Sequence, residues 1–250
     1  MVGELIRVSV VGGIVAVDRV AGWSLMLSQP LVAACLAGAL LNPGPEWELW
    51  ALRIPIAVGA ILQLLLTDTA LPAAQSPRDT ATAGVVGSAV ALLGLPRLHP
   101  ELAISAGGIL WVVIGVAAGL VSAVLGGWFA RLHQTGRATV ARADLLAARG
   151  DFAGFDHLYW SGLLRTFLVG AAWAWGGTIL LLWAALSYLP RVAGSLTARR
   201  AGVVFATLLG AAVAAAFDTH VRGRRNGLRW AALGALVVLF VIRGLKAAAP

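Results

Sequence analysis

The sequence is short of charge. Asp, Glu, Lys and Arg together make up 12% of its 250 residues, against about a quarter in soluble globular domains. Lysine occurs only at Lys246 and no GxxxxGK stretch is present, which excludes phosphate-loop nucleotide chemistry. The single cysteine, Cys35, closes no internal disulfide and says nothing of redox compartment. His99, His133, His157 and His220 share no HExxH or Cys/His spacing, so no metal is expected. No GxSxG is present, which excludes a serine-hydrolase elbow. Asp18 and Asp218 are the only candidates for an intramembrane protease pair, and neither has the flanking pattern. Glycine is abundant, at 30 residues, but without the three-residue period of collagen. No catalytic residue and no cofactor are expected.

What is present is apolar. Sixty per cent of the residues are hydrophobic and the mean hydropathy is +0.87. Such a chain belongs in a bilayer and has length for roughly six to eight crossings. Backbone in lipid must satisfy its own hydrogen bonds, and the apolar runs are continuous rather than alternating, so helices are expected and a barrel is not. The expected class is all-α: a polytopic, multi-pass integral membrane protein forming one membrane domain over 1–250. Within it, 1–130 are N-terminal helices, 131–162 a cytoplasmic segment and 163–250 C-terminal helices. The apolar runs fall at 5–17, 20–41, 49–66, 81–95, 102–130, 163–189, 201–217 and 230–245. The first is too short to span comfortably. MVGELIRVSVVGG does not read as a signal peptide, because its arginine sits inside the apolar stretch.

Two regions depart from simple spans. Asp18, Arg19, Gln29 and Pro30 interrupt 5–41, and 63–80 (QLLLTDTALPAAQSPRDT) is polar and proline-containing. Interrupted or re-entrant helices read this way, and their backbone must line a cavity or be buried in protein. For 67–80 an ordinary surface loop is the plainer reading, and composition favours it. The segment 131–162 carries Arg131, Arg137, Arg142 and Arg149, with a short helix expected at 137–148, stopped by Gly150. Its arginines place it in the cytoplasm. A simple crossing at 163–189 then puts Arg191, Arg199 and Arg200 outside, against the same rule. The formal charge of +8 reflects arginines between apolar runs rather than a nucleic-acid surface. Trp47, Trp50, Trp128, Trp160, Tyr188 and Trp230 sit near run ends, as an interfacial belt does. Gly115 and Gly119 form a GxxxG that permits close helix packing.

Polar groups near membrane depth are the candidates for ligand contact. A charge in lipid is costly, so Asp18 and Arg19 are expected to face a cavity, to pair with each other or to sit at the interface. Asp79-Thr80 can cap the helix that follows. Asp18, Gln29, Gln63, Asp68 and Asp79 supply the carboxylates and amides that bind sugar hydroxyls.

In their order along the chain these residues resemble a known family. VDRVAGWSLMLSQPLVAACLAGALL (17–41) resembles the N-terminal signature of enzyme IIC in the mannose-fructose-sorbose family of the bacterial phosphotransferase system, with its LDR, its Gln and Met and its SRP. Residues 63–80 resemble the second signature, a Glu-Leu-Leu stretch, a turn and Pro-Pro-Asp. ARADLLAARGDFAGFDHLYWSGLLRTF (141–167) is similar to the family's cytoplasmic helix, Gly, His-Leu and apolar helix, and 201–242 to its Gly-rich end. Where the family carries Arg, Glu and Trp, this chain has Gln29, Gln63 and Leu66.

The resemblance implies a channel subunit of a sugar permease in the bacterial inner membrane. Its partners would be a IID membrane subunit and cytoplasmic IIA and IIB phosphocarriers, with a hexose or amino sugar as substrate, no nucleic acid, and assembly as an oligomer. It implies that Asp18, Gln63 and Asp79 line the sugar path, with Gln29 and Thr80 nearby. Arg142, Arg149 and His157 would contact IIB, although a solvated positive-inside face accounts for them more simply. Two other readings stay open: a IIC-like membrane protein that serves regulation or scaffolding, motivated by the three substitutions, and an unrelated secondary transporter.

Overall fold

The computed structural model describes residues 1–20, 25–41, 49–66, 79–98, 106–133, 137–193 and 198–220, and among them every regular element is a helix. In chain order these are α1 (Val2–Val20), α2 (Pro30–Leu41), α3 (Leu49–Leu66), α4 (Thr80–Leu98), α5 (Ala106–His133), α6 (Arg137–Ala148), α7 (Phe152–Ala193) and α8 (Ala198–His220). The all-α expectation therefore holds. Among the described residues, two helices are long and apolar enough to cross a membrane, Gly108–Phe129 in α5 and Phe152–Tyr188 in α7.

Several boundaries differ from the hydropathy pattern for one reason: hydropathy stops at a charge and a helix does not. The run at 5–17 becomes the 19-residue α1, which takes Asp18 and Arg19 into its last turn. A cation there faces the negative end of the helix dipole. The polar residues before the apolar run at 163–189 are likewise helical. Residues 152–162 are the first turns of α7, whose 42 residues run about 63 Å, twice a bilayer's hydrocarbon thickness. The short helix expected at 137–148 forms at those residues. Gly150, at φ 68°, ends it in the left-handed conformation that glycine adopts without strain. Asp151 N donates to Leu146 O over 3.0 Å and Gly150 N to Ala147 O over 3.1 Å, the paired closure of a Schellman turn. Asp151 then starts α7 by accepting from Gly154 N over 2.9 Å. The region 5–41 is interrupted as expected, by the turn that leads into Pro30. Residues 67–78 and the apolar run 230–245 lie outside the described residues.

The bundle is held by small residues. α4 packs most extensively on α5, and α1 on α7. A Cβ on Gly87 would stand 2.6 Å from Gly115 O, and one on Gly115 would stand 2.8 Å from Gly87 O. Gly119, one turn on, faces Ala83 O and Leu62. The GxxxG at 115 and 119 is thus a seam against α3 and α4, where small residues let the backbones approach closely. Gly12 and Gly170 make the same approach between α1 and α7, beside Ala16 and Ala174, and Ser9 Oγ donates to Ala171 O over 3.1 Å. α2 is only 12 residues long, about 18 Å, and too short to span. Its first residue, Pro30, lies directly over Gly84, and Leu31 over Gly59. The start of α2 is therefore wedged between α3 and α4.

Candidate functional site

Four helix ends meet around that wedge, and three of the expected residues meet with them. Asp18, in the last turn of α1, is 7% exposed. Its Oδ1 accepts from Leu25 N over 3.0 Å and its Oδ2 from Ser28 N over 2.9 Å. The carboxylate thus folds the chain back on itself between α1 and α2, in a turn where Met26 has φ 59°. Gln63, near the end of α3, accepts from Leu31 N over 3.4 Å. That donor belongs to the first turn of α2, where backbone N–H groups have no intrahelical partner.

Asp79 sits just before α4 and is also 7% exposed. Its Oδ1 accepts from Thr82 N over 3.2 Å and its Oδ2 from Thr82 Oγ over 2.8 Å. This is the capping role expected for the Asp79-Thr80 step: the Asp side chain takes an N–H of the first turn. Asp79 N donates to Ala123 O of α5 over 2.8 Å, which fixes the cap to a neighbouring helix. Arg19 Nη1 pairs with Asp79 Oδ1 at 3.2 Å. Asp18 and Arg19 therefore do not pair with each other: Asp18 holds backbone and Arg19 reaches across to α4. Thr80 is half-buried, in the first turn of α4. Gln29 is exposed on the turn before α2. Asp68 lies outside the described residues.

The chemistry open to this cluster is acceptance of hydroxyl protons. A carboxylate offers roughly four lone-pair positions. Asp18 uses two in the bonds above and Asp79 three, so each keeps acceptor capacity while held rigid by backbone. Sequence reasoning missed Arg19 as the partner of Asp79, and missed Thr82, Ser122 and Trp173. The Asp79–Thr82 spacing, cap to third helical residue, was a readable signal. Trp173 Nε1 donates to Ser122 Oγ over 3.1 Å across 51 residues, which nothing in the sequence signals. The Trp173 ring stacks on Phe129, with centroids 5.6 Å apart at 30°. A Cβ on Gly126 would touch both Trp173 and Asp79, so Trp173 forms one wall of the cluster.

A groove of about 390 Å³ runs along α7, with Phe129 of α5 on its other side. Phe129, Leu164, Leu168, Val169 and Ala172 line it, with Ser161 and Arg165. None of the five expected sugar contacts lines it. Arg142, Arg149 and His157 are all exposed, on α6, on the turn after it and on the first turns of α7. Among the described residues no group of three or more His, Cys, Asp or Glu could hold a metal ion.

No protein-family model matches the chain, and no curated protein matches it. Among solved structures, the chain is similar to one in the cryo-EM structure of the mannose transporter ManYZ in complex with microcin E492. The two are 16% identical with a TM-score of 0.47, over 99% of this chain and 94% of that one. At that distance the likeness assigns neither activity nor substrate.

Proposed function

We propose that the chain is a membrane-embedded channel subunit of the enzyme IIC type, which translocates a hexose or amino sugar to be phosphorylated on the cytoplasmic side. The observation that carries this reading is the convergence of Asp18, Gln63 and Asp79. These positions match the two family signatures and come from three separate stretches of chain. They hold the turn before α2, the start of α2 and the start of α4 respectively. Two helix starts with an aspartate and an amide between them form a polar cradle inside an apolar bundle, the arrangement in which broken helices serve membrane transport.

In this reading Asp79 and Asp18 accept sugar hydroxyls and Gln63 both accepts and donates, with Gln29 and Thr80 at the edge of the path. A IID membrane subunit completes the path. IIA and IIB deliver the phosphoryl group from phosphohistidine to the sugar, and IIB docks against Arg142, Arg149 and His157. The chain lies in a bacterial inner membrane as a multi-pass protein and functions in an oligomer.

A second reading has its own support. Gln63 stands where the family has a carboxylate, and Asp79 is engaged by Arg19. A IIC-like protein that kept the fold and serves regulation or scaffolding would show both features. Membrane vesicles holding the chain with cognate IID, IIA and IIB, a phosphoryl donor and a panel of sugars decide between them. Sugar phosphate that disappears when the chain is omitted supports transport. No product from any sugar, with IID still co-purifying, supports the second reading.

A further inference from the structure

We propose that the groove between α5 and α7 is a binding site for an anionic phospholipid, with the phosphate on Arg165 and an acyl chain along Leu168, Val169 and Ala172. The proposal rests on the membrane reading above but not on sugar transport.

The groove is polar at one end and apolar at the other. Ser161 and Arg165 precede Leu168, Val169 and Ala172 along one face of α7, and Phe129 closes the opposite side from α5. From Arg165 to Ala172 is seven residues, about 10 Å along the helix. Ser161 Oγ already donates to Leu158 O over 2.9 Å, so it has no proton for a phosphate and Arg165 supplies the charge alone. Arg165 takes part in neither ion pair found among the described residues. A cation at the edge of an apolar span is costly without a counter-charge, and a lipid phosphate is the anion that occurs at that depth.

The depth is marked by aromatics. Trp160 and Trp128 are 61% and 63% exposed and lie beside Ser161 and Phe129, at the level where indoles settle between headgroup and hydrocarbon. Because α5 ends there and the more apolar part of α7 begins there, both helices present the groove to the same leaflet. Its arginine-rich flank makes that leaflet cytoplasmic, where anionic lipids concentrate.

Native mass spectrometry of the chain released from nanodiscs tests the site. The discs would hold phosphatidylcholine with a minority of phosphatidylglycerol. Phosphatidylglycerol should be retained about fivefold above its share of the disc, the scale of one basic side chain beside an anionic lipid. Arg165→Gln should return retention to the bulk ratio and Arg165→Lys should preserve it. Ala172→Trp, which fills the apolar end, should lower it with Arg165 intact. Retention at the bulk ratio in the unaltered chain, or unchanged in Arg165→Gln, would overturn the proposal. Arg165 is exposed, so its replacement leaves the fold in place. Release of the chain from membranes by alkaline carbonate would instead sink the membrane reading itself.

Discussion

Arg19 and Asp79 are sixty residues apart and meet at 3.2 Å, tying the last turn of α1 to the cap of α4. The same carboxylate caps α4. Asp79→Ala removes the cap and a partly buried, charge-assisted hydrogen bond together and should cost about 2–5 kcal/mol. Asp79→Asn keeps an acceptor for Thr82 and should fall between wild type and alanine. Thermal unfolding in detergent would show that order, and an alanine variant as stable as wild type would contradict the geometry.

Gln63 links α3 to the start of α2 through Leu31 N. Gln63→Leu leaves that donor without its acceptor and removes a polar group from the proposed path. Sugar phosphorylation in vesicles should fall about tenfold or more, as when a buried polar contact is deleted from a recognition site. Gln63→Glu restores the family's carboxylate and should retain activity. Undiminished activity in the leucine variant would remove Gln63 from the path.

Gly87 and Gly115 leave no room between α4 and α5. Alanine at either position would have to displace backbone, at about 1–3 kcal/mol, and leucine should prevent assembly of the bundle. The yield of folded protein from membranes reports both. Normal yield of Gly87→Leu would mean that the seam is looser than the structure has it.

Trp173 makes two separable contacts. Trp173→Phe keeps the stack on Phe129 and loses the hydrogen bond to Ser122, a change of about 0.5–1.5 kcal/mol. Trp173→Ala loses both and should cost about 3–5 kcal/mol. A phenylalanine variant as damaged as the alanine one would show that the hydrogen bond, and not the ring, holds the wall.

Much of this was legible before any coordinate. Continuous apolar runs marked α3 at its observed limits, and Gly150 marked the end of α6 within two residues. The seam at Gly115 and Gly119 was visible as spacing, although the partner glycine at 87 was not. Capping at Asp79 was readable because a cap is local. The partner of Arg19 was not, because Asp18 is its neighbour in sequence and points elsewhere in space. Trp173 with Ser122, and the groove at Arg165, depend on which faces of α5 and α7 meet. That is set by packing over distances that periodicity does not encode. The start of α7 at Phe152 was not legible in the apolar run at 163–189, because a helix propagates through polar residues when its hydrogen bonds are already formed.

The length of α7 has a structural consequence. One unbroken helix carries exposed Phe152 and His157 at one end and, further along, the Gly170 contact with Gly12 of α1. Arg19 lies two turns beyond Gly12 on α1. The exposed end of α7 is therefore joined, through one close helix contact, to the helix whose last turn grips Asp79. α7 and α1 thus form one continuous run of packed helix from Phe152 to the ion pair that anchors the start of α4.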